Sequence, residues 1–158
     1  MTTADLVLTP HLFDDDVVRT LLAALDAELD ERYPGESILP PEYDAADYGS
    51  PRGVLLVARL DGDAVGCGAV RPGPGEGVGE IKRMYVVPHA RGRRIAERVL
   101  AGLVDAAQDL GYRRLVLETG TGQPEALRLY ERLGWQPTAA FGHYRDSPLS
   151  RGYGLDLA

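Results

Sequence analysis

Lys82, Arg83, Arg91, Arg93, Arg94 and Arg98 crowd into one short stretch of an otherwise acidic chain. They belong to EIKRMYVVPHARGRRIAERVL (80–100), which reads as an extended run, a loop dense in Arg and Gly, and the start of a helix. A helix N-terminus offers backbone N–H groups with no intrahelical acceptor and the equivalent of about half a positive charge. A strand, loop and helix in this order can therefore hold a phosphate or pyrophosphate. No proline interrupts 91–96, so the backbone donors stay available, and the guanidinium groups of Arg91, Arg93 and Arg94 can grip phosphate oxygens in pairs. The ligand this implies is a small polyanion. An Arg-rich helix start is also what a plain solvated surface presents, so the neighbouring elements must decide.

The chain has 158 residues, 44% of them hydrophobic, with no repeat period, which fits one compact domain over residues 1–158. A formal net charge of -7 would repel a phosphate backbone over most of the surface, so general nucleic-acid binding is disfavoured. The opening MTTADLVLTPHLFDDDVV has neither a basic n-region nor an apolar run, and no stretch approaches the roughly 18 apolar residues that span a bilayer. The expectation is a soluble, cytoplasmic protein with no membrane partner. Cys67 is the only cysteine; it excludes an internal disulfide and reads as a small buried hydrophobe in a strand. No metal is called for.

The elements that must position the Arg-rich loop follow from spacing. ADLVLT (4–9) suggests a first strand, and Asp14 to Asp16 offer cap oxygens to a helix whose Val17, Val18, Leu21, Leu22, Leu25 and Leu29 recur at helical spacing. That helix should fail near Tyr33, before Pro34 and Gly35, leading into a tyrosine-rich loop or short helix over 41–51. GVLLVARL (53–60) and AVGCGAVR (64–71), separated by Asp61-Gly62, predict a hairpin with a tight primed turn. A third extended run, VGEIKRMYVV (78–87), places Glu80, Lys82 and Met84 on one face and Ile81, Arg83 and Tyr85 on the other. From Arg93 a helix runs to Gly111, where a left-handed C-cap is wanted. A strand at 112–119, a helix from Pro124 to Gly134 and strands near 135–139 and 152–157 complete a mixed α/β order with one crossover beside an antiparallel hairpin.

On these residues the chain resembles the GNAT acetyltransferase superfamily, whose cofactor loop reads Gln/Arg-x-x-Gly-x-Gly/Ala after a strand. Here it stands as Arg91-Gly92-Arg93-Arg94-Ile95-Ala96, with Arg94 in place of the usual glycine. The likeness continues in LETGTGQPEALRLYERLGW (117–135), at Gln123, Ala126, Leu129, Tyr130, Gly134 and Trp135, with Gln123 where Asn is common. The resemblance implies a mostly antiparallel sheet with a parallel strand pair at the cofactor site, flanked by about four helices. It implies acetyl-CoA as co-substrate, held by Arg91, Gly92, Arg93, Arg94, Ile95, Ala96 and Gln123, with backbone groups of Met84, Tyr85 and Val86 pairing with the pantetheine arm.

The same resemblance implies direct transfer to an amine in a ternary complex. Glu80 matches the position of a glutamate base in histone-acetylating members, and Tyr130 matches a tyrosine that protonates the departing thiolate. Each has a plainer alternative: a strand glutamate is often salt-bridged, and an aromatic at helical spacing is often core. The acceptor, a small molecule or a peptide, should meet the variable parts, here Tyr43, Asp44, Asp47 and Tyr48 and the segment FGHYRDSP (141–148) with His143. Acidic groups there would favour a cationic amine. An acetyl-Cys67 route would need a thiolate with a partnered base, and the sequence pairs none with it. A homodimer is compatible with this pattern. The rival from another class is a catalytically weak acyl-CoA-binding regulatory module, motivated by Arg94 and Gln123.

Overall fold

A computed structural model describes residues 5–35, 44–142 and 145–158; Tyr43 and His143 lie outside the described residues. Seven strands form one sheet: β1 (Leu6–Pro10), β2 (Val54–Leu60), β3 (Asp63–Pro72), β4 (Val78–Val86), β5 (Arg114–Gly120), β6 (Gln136–Thr138) and β7 (Ser150–Asp156). Their order is β1-β2-β3-β4-β5-β7-β6. Only β4 and β5 run parallel; every other neighbouring pair is antiparallel. The described helices are α1 (Asp16–Arg32), α2 (Ile95–Asp109) and α3 (Pro124–Arg132), with 3-10 helices at Ala45–Tyr48 and Pro88–Ala90.

The two-residue period of the strands divides the core into two layers. Leu55, Val57, Cys67, Ala69 and Tyr85 meet Val18, Leu21, Leu22 and Leu25 of α1 on one face. Leu56, Ala58, Val70, Ile81, Leu115 and Leu117 meet Ile95, Val99, Leu100 and Leu103 of α2 on the other, where α3 also packs.

Local chemistry sets the chain reversals. Asp61 and Gly62 both take positive φ, 52° and 89°, which gives the β2–β3 hairpin the primed turn that its DG dipeptide predicts. Both α2 and α3 end in Schellman motifs. In α2 the Gly111 N–H donates to Gln108 O and the Tyr112 N–H to Ala107 O, both at 3.0 Å. In α3 the Gly134 N–H donates to Glu131 O at 3.2 Å and the Trp135 N–H to Tyr130 O at 3.0 Å. The aspartates before α1 behave differently from expectation. Asp15 is the N-cap residue, but its carboxylate accepts from the Leu12 N–H and bonds the His11 ring, both at 3.0 Å, rather than from the helix itself.

Strand β4 departs from simple alternation. Cys67 of β3 pairs with Tyr85 and Ala69 with Lys82, so two residues, Arg83 and Met84, stand opposite Gly68 alone. Arg83 takes φ 61°, and the Cys67 thiol donates to its carbonyl at 3.4 Å. One inserted residue reverses the facing of everything beyond it. Met84 therefore packs with the α2-side core, and Tyr85 and Arg83 join Glu80 and Lys82 on the α1 side. This corrects the facing that alternation predicts for Met84, Arg83 and Tyr85.

Candidate active site

The ladder between β4 and β5 is short: Val78 pairs with Arg114, Gly79 with Leu115 and Glu80 with Val116, and there it stops. Beyond Glu80, β4 continues to Val86 and β5 to Gly120 with no ladder between them. A crevice opens outside the carboxyl ends of a parallel pair, the usual ligand position in sheets that carry one. The β4 edge along it, including Met84, Tyr85 and Val86, can pair with an extended ligand as a strand would.

Glu80 closes the inner end of this crevice on the α1 side. It is buried, and Oε1 accepts from Arg71 Nη1 at 3.1 Å while Oε2 lies 3.7 Å from Lys82 Nζ. Arg71 Nη2 donates onward to Asp47 Oδ2 at 3.2 Å, and Arg52 Nε donates to Asp47 Oδ1 at 2.8 Å. Burial alone would raise the Asp47 pKa, but the hydrogen bonds and charges of Arg52 and Arg71 outweigh it and lower it. Asp44 accepts from the Ala46 N–H and caps the 3-10 helix. Asp47 is thus shared between two arginines, while Asp44 stays exposed beside it. Tyr48 is buried in the α1-side core, its ring centroid 4.6 Å from that of Phe13.

At the outer end, the Arg-rich loop forms as the residues between the 3-10 helix and α2. Gly92 has φ 83°, with open space where a Cβ would stand, and Arg94 has φ 60° as the N-cap of α2. The Arg94 side chain is 79% exposed and, among the described residues, reaches only Glu97, at 4.0 Å. Ile95 and Ala96 open the helix, so their N–H groups have no intrahelical acceptor. The open Gly92 and these donors fit a pyrophosphate. Arg91 plays another part: its Nε donates to Val86 O at 2.9 Å, its Nη2 to Glu28 Oε1 at 2.6 Å, and its guanidinium lies 5.8 Å from the Tyr85 ring centroid. It ties the loop to α1 and to the end of β4.

Tyr130 approaches from the opposite face. Its ring is buried beside Trp135 and Tyr153, at 5.7 and 6.0 Å between centroids, and burial raises its pKa above the ordinary tyrosine value. The Schellman motif that ends α3 explains why Tyr130 recurs with Gly134 and Trp135: the cap needs the glycine, and its usual apolar contact joins positions 130 and 135. Glu80 and Tyr130 are thus not brought together; they belong to opposite layers on either side of the parting strands.

Four contributors escaped sequence reasoning. Arg71 stands directly across from Glu80 in the β3–β4 pairing, a cross-strand charge pair that register counted back from the 73–77 linker would have suggested. Tyr33, at the end of α1, lies over Gly120 and Gly122 and its hydroxyl donates to Gln123 Oε1 at 3.2 Å, while Arg32 Nη1 donates to Gly122 O at 3.0 Å. Gln123 is the N-cap of α3 and is held by Tyr33, not by the helix. Glu118 on β5 accepts from the Phe141 N–H at 3.0 Å and fixes the start of the late segment over the sheet.

Among the described residues no group of three His, Cys, Asp or Glu side chains could hold a metal ion. Nor is any described helix long and apolar enough to cross a membrane.

The acetyltransferase (GNAT) family model matches residues 21–135. An IAA acetyltransferase of Azospirillum brasilense is 40% identical over 85% of this chain and 87% of that one. A proposed acyl-CoA N-acyltransferase of Klebsiella pneumoniae superposes with TM-score 0.80 at 36% identity, covering 97% of this chain and 98% of that one. A GNAT acetyltransferase from Elizabethkingia anophelis, solved with acetyl-CoA bound, shares the fold with TM-score 0.70 at 21% identity over 98% and 99% of the two chains. A mixed sheet parting at its one parallel pair, a glycine-bearing loop before α2 and a Tyr-Gly-Trp cap on α3 accord with these likenesses, and the chain belongs to the GNAT acetyltransferase family.

Proposed function

We propose that this acyltransferase moves an acetyl group from acetyl-CoA to the amine of a small molecule or peptide, by direct attack in a ternary complex. The observation that carries the reading is the parting of β4 and β5, with a buried carboxylate at Glu80 on one face and a buried phenol at Tyr130 on the other.

In this reading the backbone N–H groups of Gly92, Arg93, Arg94, Ile95 and Ala96 receive the pyrophosphate, Arg91 and Gln123 keep the two rims of the crevice in place, and the β4 edge at Met84 to Val86 aligns the pantetheine arm. An alkyl amine has a pKa near 10, so at neutral pH it reaches the site as an ammonium ion and must lose a proton before it can attack. Glu80 accepts that proton, directly or through a water, while Arg71 fixes the carboxylate's orientation. Tyr130 donates its proton to the sulfur as the carbon–sulfur bond breaks. Burial suits it to that task, because a tyrosine whose pKa is raised stays protonated across the range in which amines become free.

The test is release of CoA thiol from acetyl-CoA by the purified protein against polyamines, amino acids, aminoglycosides, arylamines and short peptides, with a no-acceptor control. Acceptor-dependent release establishes the transferase and its substrate class together. Acetyl-CoA binding by calorimetry with no release against any class would favour an acyl-CoA-binding regulatory module.

A further inference from the structure

Lys82 is the only lysine of the chain. It is the first residue of β4 past the last β4–β5 pair that lies on the Glu80 face. Other cations around the crevice are committed by hydrogen bonds: Arg71 to Glu80 and Asp47, Arg83 to both oxygens of Asp26, Arg91 to Glu28 and Val86 O, and Arg32 to Gly122 O. Lys82 is not. Among the described residues its Nζ has one charged neighbour, Glu80 Oε2 at 3.7 Å, outside hydrogen-bond reach, and its side chain is 31% exposed.

We infer that Lys82 is itself an acetyl acceptor, so that the enzyme acetylates its own Nζ when no amine substrate is present. The inference rests on the acetyl-CoA reading above. A chain anchored at the loop after β4 and laid along that strand runs from the level of Val86 towards the closed end of the crevice. Their partners on β3, Gly66 and Ala69, are three steps apart, so at about 3.3 Å per step Lys82 lies roughly 10 Å from Val86. The acyl end then arrives beside Lys82 and Glu80. Glu80 takes one proton from the Lys82 ammonium, and the freed nitrogen adds to the thioester carbonyl carbon. A carbon–nitrogen bond forms, the carbon–sulfur bond breaks, and the sulfur leaves with its electron pair and takes up a proton. The products are Nζ-acetyl-Lys82 and free CoA, with one proton released overall. The acetamide carries no charge, so Glu80 loses its second cationic neighbour and the acceptor's path narrows.

The experiment is incubation of the purified protein with acetyl-CoA and no acceptor, followed by intact-mass measurement and peptide mapping, with acetyl-CoA binding measured in parallel by calorimetry. The expected result is gain of one acetyl group, mapped to Lys82, at a rate that saturates with acetyl-CoA and does not depend on protein concentration. Lys82→Arg should gain none, and Glu80→Gln should be slower by about tenfold or more. The same chain unfolded in urea supplies the rate of simple chemical acetylation, which the folded protein should exceed by at least about tenfold because a positioned amine has a high effective molarity. Saturated binding with no acetylation, acetylation confined to the α-amino group, or equal rates in folded and unfolded protein would overturn self-acetylation alone. Absence of binding would overturn the acetyl-CoA reading and this inference together.

Discussion

Glu80 and Tyr130 lie on opposite faces of the sheet: one belongs to the α1-side layer, the other to the α2-side layer, and the β4–β5 ladder ends at Glu80. A ligand lying in that gap presents opposite sides to the two residues. In the proposed reaction this separates proton removal at the attacking nitrogen from proton delivery at the leaving sulfur. It also allows each residue to be tested without disturbing the other.

Glu80→Gln should lower kcat by about a hundredfold or more, the usual worth of a positioned base. Glutamine keeps an oxygen for Arg71, so the thermal midpoint should move little. The loss should shrink as pH rises towards 10, since free amine then becomes abundant without enzymatic help. A variant whose deficit is equal at every pH would show that Glu80 holds the site together and takes no proton.

Tyr130→Phe keeps the ring contacts with Trp135 and Tyr153 and removes only the hydroxyl. The expected result is a kcat reduced about tenfold or more, with acetyl-CoA affinity nearly unchanged. In the wild type, burial holds the Tyr130 proton above the ordinary tyrosine range, so the rate should climb with amine deprotonation and show no decline near pH 10 from this residue. Equal loss of binding and turnover in the variant would make Tyr130 a packing residue.

The parts of this site that were legible in the sequence are those fixed by neighbours in the chain. The Asp61-Gly62 turn and the Gly111 and Gly134 helix ends each depend on a residue that tolerates positive φ at a set offset. The bulge at Arg83 is of another kind. Nothing local to KRMY demands it; its partner is Gly68, where a Cβ would come within 2.6 Å of Met84 Sδ and 2.9 Å of Val99, and where α2 packs closely. Arg71 with Glu80, and Tyr33 with Gln123, likewise meet only after the sheet and α1 are assembled. Spacing marked the loop and family resemblance the candidate pair, while the side on which each side chain points came from long-range pairing.

Cys67 tests the buried end of that assembly. Burial pushes its thiol pKa up to about 12 from an ordinary 9.0, outweighing the lowering effect of Arg83. The folded protein should therefore resist thiol reagents at pH 8 and react once per chain when unfolded, with activity untouched by prior exposure of the native form. The sign for stability follows: the native thiol keeps its proton while the unfolded one ionises, so this group's contribution is intact below pH 9 and is lost between about 9 and 12. Rapid labelling of native protein at pH 8 would refute this placement.

Arg94→Gly restores the residue that GNAT loops usually carry at this position. Arg94 has φ 60°, a conformation that costs a side-chain-bearing residue about 1–2 kcal/mol, whereas glycine adopts it freely. Glycine also loosens the unfolded chain, which offsets about 0.4–1 kcal/mol of that relief. The net expectation is a gain of up to about 1.5 kcal/mol, read as a small rise in thermal midpoint. Because the side chain is largely exposed and, among the described residues, meets only Glu97 at 4.0 Å, its removal should leave acetyl-CoA affinity unchanged within about twofold. A tenfold or greater loss of affinity would instead show that the Arg94 guanidinium swings inward and grips the phosphates itself.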